Sequence, residues 1–187
     1  MAGVVKSIPE DKLEEFAVLI RARNAKFEVI LRLGVETGLR VSDMLKLRVR
    51  QFKRHLSVYE GKTGKKKECQ LSDELLALGI EYIKAHRLAP ADALFYSARH
   101  RKFKAVSRIR VYQVFRATAK ELGLTNIGPH STRKTYAKRV LKETGSIKAV
   151  QHALNHKYLD TTLHYLFDLD QMAAGVQTKE RIADEGH

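Results

Sequence analysis

The chain has 187 residues, a length that fits one domain, and its 44% hydrophobic content is enough for a packed core. Its 35 lysines and arginines against 21 aspartates and glutamates leave a formal net charge of +14, which argues for a polyanionic partner. The single cysteine excludes an intramolecular disulfide and argues against a cysteine-based zinc site, and no apolar run is long enough for a transmembrane helix.

The first third of the chain begins with helical periodicity. Residues 11–23 place apolar side chains at helical spacing and acidic side chains in the first turn. Residues 24–37 predict a second, strongly apolar helix that stops at Gly38, and Ser42 is expected to cap a short helix after it.

The periodicity then changes to that of strands and returns to that of helices. Residues 55–60 and 67–71 predict the two strands of a hairpin that turns at Gly61 and Gly64. Further helices are predicted over residues 73–86, 107–122, 131–144, 146–154 and 160–167. Ser131 is expected to cap the third of these. The predicted fold class is therefore mainly α with a small antiparallel β-sheet (α+β).

The positive charge is concentrated in the stretches GKTGKKKE, SARHRKFKAVSRIR and STRKTYAKRVLK. Nucleic acid is the first candidate partner, an anionic membrane surface is the second, and a solvated basic surface without a partner is the alternative. The N-terminal segment lacks the layout of a signal peptide, so we expect a cytoplasmic protein associated with the nucleoid or with DNA.

Arg40 follows the predicted stop glycine in the segment TGLRVSD. Its planar guanidinium could present a fork of donors to a phosphate, and the alternative is a surface ion pair with Asp43. The turn EGKTGKKKE places Lys62 where a flexible cation could reach a polyanion, and its alternative is a solvated turn. A P-loop is excluded because the leading glycine is missing at the required distance.

The segment GPHSTRKTYAKRV places His130 and Arg133 three residues apart at the start of a predicted helix. Backbone N–H groups at such an end favour an anion, although an HxxR pair by itself also arises by chance.

The segment HALNHKYLDTTLHYL contains His152, His156 and His164, which raises the question of metal ligation. No HExxH motif or carboxylate partner accompanies them, so we expect no metal site. Tyr165 follows on a short amphipathic helix, where a tyrosine is more often a core or rim residue than a nucleophile.

In this order, the four segments resemble the catalytic domain of the tyrosine recombinase (phage integrase) family over residues 9–168. TGLR followed by an acidic residue is similar to the first family box, GKT to the hairpin that carries the family lysine, and HSTR to the HxxR box. LNH resembles the family's LGH box, and Tyr165 follows His156 by nine residues, at the spacing of the family nucleophile.

Two positions depart from the family pattern. Asn155 stands where a glycine is usual, and Lys134 stands where a histidine is frequent. Neither change removes a catalytic atom. Asparagine is the residue that best tolerates a left-handed backbone after glycine, so we expect Asn155 to accept the conformation that glycine normally supplies.

The resemblance implies that DNA strands are cut and rejoined through a covalent 3′-phosphotyrosyl intermediate, with no metal and no cofactor. It implies that Tyr165 is the nucleophile, with Tyr158 as the rival tyrosine. It implies that Arg40 and Arg133 bind the non-bridging phosphate oxygens, and that Asp43 orients Arg40.

The resemblance also assigns the groups that move or share protons. Lys62 is implied as the general acid for the leaving 5′ oxygen, and Lys65, Lys66 and Lys67 are the runners-up. His130 is implied to assist proton transfer at the tyrosine, and His156 to donate a hydrogen bond to the phosphate.

Basic side chains outside this centre are expected to contact the DNA backbone. The expected contacts are Lys65, Lys66, Lys67, Arg99, Arg101, Lys102, Lys104, Arg108, Arg110 and Lys134. Double-stranded DNA is the implied partner, on which the protein would form a tetramer, and a monomer is compatible with the free state. No membrane partner is expected.

We expect one catalytic domain over residues 1–187, with a core over 9–168 and a tail over 169–187 that neighbouring subunits could exchange. No N-terminal core-binding domain is expected, so the chain is either a naturally minimal recombinase or a catalytic fragment. The alternatives are a non-catalytic or accessory DNA-binding relative, a type IB topoisomerase, and a plain basic nucleic-acid-binding protein.

Overall fold

The computed structural model describes residues 5–100 and 102–156. Its helices are α1 (Leu13–Arg23), α2 (Ala25–Thr37), α3 (Val41–Met44), α4 (Asp73–Ala85), α5 (Arg108–Glu121), α6 (Pro129–Thr144) and α7 (Ile147–Ala153). Short 3₁₀ segments span Glu10–Lys12 and Val49–Gln51. The strands β1 (His55–Tyr59) and β2 (Lys66–Gln70) pair antiparallel, with His55 opposite Gln70 and Tyr59 opposite Lys66. This arrangement confirms the predicted fold class.

Helix α2 lies at the centre of the molecule and packs against α1, α4 and α6. Its sequence is apolar around most of its circumference, as expected of a helix surrounded by other elements, and Ile30, Leu31 and Leu33 are fully buried. Gly34 lets α6 approach closely, because a Cβ atom there would lie 2.4 Å from Thr132 Oγ1. The head of α6 is therefore held directly against α2.

Helix α2 ends at Gly38, which adopts a left-handed conformation with φ of 64°. The Tyr136 ring of α6 covers this glycine so closely that a Cβ atom would lie 2.2 Å from Tyr136 Cδ1. Leu39 is then buried, and Arg40 follows in an extended conformation at the start of α3. The way α2 ends thus places Arg40 on the side of the molecule where α6 begins.

The hairpin buries alternate side chains, as a strand with one covered face does. Leu56 and Val58 of β1 point into the core, and Glu60 continues the same alternation just after the strand. In β2 the inward positions are taken by Lys67, which is buried, and by Cys69, which is half-buried. A separate small cluster of Ala137, Val150 and Leu154 joins α6 to α7.

The predicted helices and strands are confirmed to within one or two residues where they are described, except at two serines. Ser42 was expected to cap α3, but Arg40 occupies that position without a side-chain cap and Ser42 lies inside the helix. Ser131 was expected to cap α6, but the helix begins at Pro129, and the Ser131 Oγ accepts a 3.0 Å hydrogen bond from the Gly128 N–H. Proline favours the first helical position because it has no N–H to satisfy, which moves the start two residues earlier.

The predicted helix over residues 160–167 lies outside the described residues. Within the described parts of the chain, no helix is both long and apolar enough to cross a membrane.

Candidate active site

The two arginines singled out in the sequence meet at one buried carboxylate. Arg40 Nη1 donates a 2.7 Å hydrogen bond to Glu60 Oε1, and Arg133 Nη1 lies 3.3 Å from the same oxygen. Glu60 is fully buried, whereas the Arg40 side chain keeps 15% of its surface exposed. Arg40 therefore presents positive charge toward solvent, whereas Arg133 is buried and Glu60 neutralises part of the charge of both guanidinium groups.

Arg133 is fixed by backbone as well as by Glu60. Its guanidinium donates to the carbonyl of Gly38 at the end of α2 and, at 2.6 Å, to the carbonyl of Leu154 just after α7. Arg133 Nη2 also lies 3.4 Å from His156 Nε2. Since a guanidinium can only donate, a hydrogen bond between these two groups needs Nε2 as its acceptor.

His156 reaches this site because of the backbone conformation of Asn155. Asn155 has a positive φ of 52°, which confirms the prediction that this residue adopts the left-handed conformation usually supplied by glycine. Burial, and then the cations of Arg133 and Arg40, lower the pKa of His156 to about 4. The imidazole is therefore neutral near pH 7.

His130 lies at the head of α6, on an exposed part of the surface. Desolvation and the cations of Arg133, Arg40 and Arg108 lower its pKa, although the desolvation is incomplete because the ring keeps access to solvent. A neutral imidazole at this position is able to accept a proton.

Lys62 is exposed in the hairpin turn, as predicted. Its charge makes a small contribution to lowering the pKa of His156, after burial and the cations of Arg133 and Arg40. Lys65 and Lys66 are exposed beside it, and Lys66 pairs with Glu68 at 2.6 Å.

Asp43 does not hold Arg40, contrary to the expectation from the sequence. Its Oδ1 accepts a 3.0 Å hydrogen bond from the Gly61 N–H and lies 3.8 Å from Lys46 Nζ. Its Oδ2 is buried without a hydrogen-bond partner in the described structure. Asp43 therefore anchors the hairpin turn next to Lys62, and the residue that holds Arg40 is Glu60.

The sequence motifs did not predict a role for Glu60, although the alternation of buried residues along β1 indicated that its side chain points inward. Leu56 and Val58 occupy inward positions of β1, so the next inward position falls on Glu60. An acidic side chain that continues a buried face needs a cationic partner, and the two arginines of the neighbouring segments provide it.

Three of the lysines that were expected to contact DNA are buried or partly buried in the structure. Lys67 is 8% exposed, donates a 2.6 Å hydrogen bond to the Ala153 carbonyl, and has a pKa lowered to about 8, chiefly by burial. Lys134 is 7% exposed within α6. Lys102 donates to the carbonyls of His86 and Arg87 at 2.9 and 2.7 Å, where α4 ends. The backbone contacts of Lys67 and Lys102 and the burial of Lys67 and Lys134 correct the expectation that these three lysines face DNA.

The other described basic residues of the expected DNA surface are exposed. Besides Lys65 and Lys66 in the hairpin, they are Arg99, Lys104, Arg108 and Arg110, in the loop before α5 and in its first turn. Arg101, Tyr158, His164 and the expected nucleophile Tyr165 lie outside the described residues. Among the residues that are described, no group of three or more His, Cys, Asp or Glu side chains is arranged to hold a metal ion.

Comparison with known proteins places these residues in a family. A sequence model described as "Phage integrase family" matches residues 6–172. The probable integrase/recombinase YoeC of Bacillus subtilis is 33% identical over 158 residues, which cover 83% of this chain and 85% of that protein. The tyrosine recombinase XerA of Pyrococcus horikoshii is 31% identical over 163 residues, covering 86% of this chain and 56% of XerA. The chain thus spans about half the length of several of the curated relatives that it matches.

Solved structures support the same fold. The XerH site-specific recombinase bound to its difH substrate superposes with a TM-score of 0.72 at 21% identity, covering 94% of this chain and 54% of XerH. A lambda integrase dimer bound to a core site gives a TM-score of 0.67 at 23% identity, covering 90% of this chain and 62% of that chain. The extent of the family match and the identity to YoeC show that this chain belongs to the phage integrase family.

Proposed function

We propose that this protein is a site-specific DNA recombinase that cuts and rejoins DNA strands through a covalent 3′-phosphotyrosyl intermediate. The observation that carries the proposal is the convergence of Arg40, Arg133 and His156 from three distant segments, in a chain related to named tyrosine recombinases. The positive charge of the two guanidinium groups suits the charge that develops on the non-bridging oxygens of a phosphodiester under attack.

In the proposed cleavage step, the phenolic oxygen of Tyr165 attacks the scissile phosphorus. The new O–P bond forms as the bond from phosphorus to the 5′ oxygen breaks, which conserves the energy of a phosphodiester and needs no oxidant or nucleotide cofactor. The phenolic proton goes to His130, and the leaving 5′ oxygen takes a proton from Lys62. Rejoining reverses these steps, with a 5′-hydroxyl of another strand as the nucleophile.

The pKa shifts of the two histidines agree with these roles. Desolvation and then the neighbouring cations lower the pKa of His130, so its neutral ring can accept the phenolic proton, and the neutral ring of His156 still has one N–H to donate. Arg40 and Arg133 supply positive charge at every working pH, because a guanidinium does not lose its proton.

Double-stranded DNA is the proposed partner, and exposed arginines at the start of α5 extend the positive surface toward it. A tetramer on DNA is proposed by analogy with the lambda integrase tetramer bound to a Holliday junction. We further propose that residues 1–187 form one catalytic domain whose segment 169–187 is exchanged between neighbouring subunits.

Covalent trapping tests the nucleophile. Tyr165→Phe should abolish the adduct formed on a nicked suicide duplex while leaving the duplex affinity nearly unchanged, because only the attacking oxygen is removed. Tyr158→Phe is the matched control and should form the adduct as wild type does. A protease-sensitive adduct that persists in Tyr165→Phe would assign the nucleophile elsewhere, and its loss only in Tyr158→Phe would move the assignment to that residue.

The same experiment separates the alternative functions. Binding of the duplex without any adduct in wild type would favour an accessory DNA-binding protein. An adduct together with relaxation of supercoils, but without strand exchange between two sites, would favour a type IB topoisomerase.

A further inference from the structure

The Glu60 carboxylate gathers side chains from every segment of the candidate site. Oε1 accepts from Arg40 and faces Arg133 Nη1, while Oε2 accepts from Asn155 Nδ2 at 3.1 Å and from Thr63 Oγ1 at 3.2 Å. Its donors therefore come from the start of α3, from α6, from the segment after α7 and from its own hairpin. No solvent reaches the residue, which is 0% exposed.

The backbone of Glu60 is as firmly held as its side chain. Its N–H donates to the Lys65 carbonyl at 3.0 Å, and its own carbonyl accepts from the Gly64 N–H at 2.8 Å. These bonds close the turn that carries Lys62. The carboxylate thus connects the two arginines to the loop of the proposed general acid.

Two roles are conceivable for an anion between two phosphate-binding arginines. Glu60 could occupy the seat of the phosphate and leave when DNA arrives, or it could hold the arginines from behind. Complete burial and the hydrogen bonds of the carboxylate favour the second role, because its departure would break the contacts with Arg40, Asn155 and Thr63 together. The Arg40 side chain keeps 15% of its surface exposed while Glu60 is fully buried, so a phosphate has access to Arg40 and not to the carboxylate.

We propose that Glu60 is the positioning residue of this site: its buried carboxylate sets the orientation of Arg40 toward the scissile phosphate and ties it to the Lys62 turn and to Asn155. This inference rests on the proposed function, and it gives a role to a residue to which the sequence motifs assign none. Glu60 does not touch the DNA; it acts through Arg40.

The two arginines should depend on Glu60 to different degrees. Among the described residues, Glu60 is the only hydrogen-bond partner that the structure gives to the Arg40 side chain. Arg133 keeps the carbonyls of Gly38 and Leu154 when the carboxylate is changed. Loss of the charge at Glu60 should therefore release Arg40 and leave Arg133 in place.

The test compares Glu60→Gln with Glu68→Gln, which removes the same charge from an exposed position of the same hairpin. NMR of the arginine guanidinium groups is the first readout. In Glu60→Gln the Arg40 group should change from slow to fast rotation while the Arg133 group remains slow, and Glu68→Gln should match wild type. Unchanged slow rotation of Arg40 in Glu60→Gln would overturn the proposal.

Single-turnover adduct formation and duplex affinity are the second readout. Glu60→Gln should lower the rate constant by roughly 10- to 100-fold, since a misplacement of about 1 Å can cost that much. The dissociation constant for duplex should not rise, because the substitution makes the site more positive. Faster cleavage or much tighter binding would instead show that Glu60 occupies the phosphate-binding position in the free protein. An equal loss in the rate constant and in the affinity for duplex would indicate a merely structural role.

Glu60→Asp keeps the proposal testable if the glutamine variant does not fold. It retains the charge but is one methylene shorter, so it should loosen Arg40 partially and give an intermediate rate, and a rate equal to wild type would refute the positioning role. If wild type itself forms no adduct, the proposed function fails, while the rotation of Arg40 still decides whether Glu60 orients it.

Discussion

Gly38 is the point at which the end of α2, the Tyr136 ring and the Arg133 side chain meet, so Gly38→Ala tests the construction of the site. Two costs arise from this change. A non-glycine residue in the left-handed region costs roughly 1–2 kcal/mol. The new Cβ atom would also lie 2.2 Å from Tyr136 Cδ1 and 2.6 Å from Cε1, and overpacking of this kind costs roughly 1–3 kcal/mol more.

Tyr136 has little room to move aside, because Lys67 Nζ lies 5.0 Å from the centre of its ring and the ring packs beside the Ala137, Val150 and Leu154 cluster. We therefore expect Gly38→Ala to lower the free energy of unfolding by about 2–5 kcal/mol. Urea denaturation measures this loss. The rate of adduct formation should fall as well, since the Gly38 carbonyl orients Arg133.

Gly123→Ala is the matched control. Gly123 has a φ of 66°, nearly the same as the 64° of Gly38, but a Cβ atom there would have no neighbour within 4 Å. Only the backbone cost of roughly 1–2 kcal/mol should appear. The gain from a less flexible unfolded chain is common to both variants and cancels in their difference. Equal losses in the two variants would refute the close packing of Tyr136 on Gly38.

Two further predictions concern charge. Arg110→Ala should weaken binding of duplex DNA and reduce the slope of log affinity against log salt by about one, as expected for one lost phosphate contact. Lys102→Ala should lower the melting temperature and leave that slope unchanged, because its ammonium caps the end of α4. Equal salt slopes for the two variants would contradict this division. In the folded protein the pKa of His156 is about 4, below its ordinary value of 6.5. Between these two pH values the unfolded chain therefore binds more protons than the folded one. The free energy of unfolding should thus fall as the pH drops from 6.5 to 4. His156→Gln should lose less stability over that range in denaturation at pH 7 and pH 4.5, and an identical loss would show that this histidine is not the group that titrates.

Much of the site was predictable because its parts are local. The stop of α2 at Gly38 follows from the tolerance of glycine for a left-handed conformation, and the same reasoning predicted the backbone of Asn155. The order and short spacing of the motifs produced the resemblance to the family, and this resemblance pointed to Arg40, Lys62, His130, Arg133 and His156. The two serine caps were misplaced because several residues near a helix start compete for the role, and only the chain path decides among them.

The partners of these side chains could not be predicted in the same way. Asp43 is three residues from Arg40 and was expected to orient it, yet the carboxylate that does so belongs to Glu60, on the hairpin. Lys67 resembles its neighbours in a basic run, but strand alternation turns it inward to the Ala153 carbonyl.

The sequence by itself determined the described helices, the hairpin and the family, and it supplied the proposal for the reactive groups, because periodicity, turn residues and motif spacing act over a few residues. Tertiary structure decided which charges meet. Arg133 and Glu60 are 73 positions apart, and Lys67 and Ala153 are 86 apart. Such contacts form only when packed helices bring the segments together, and burial then makes each unpaired charge costly enough to select one partner.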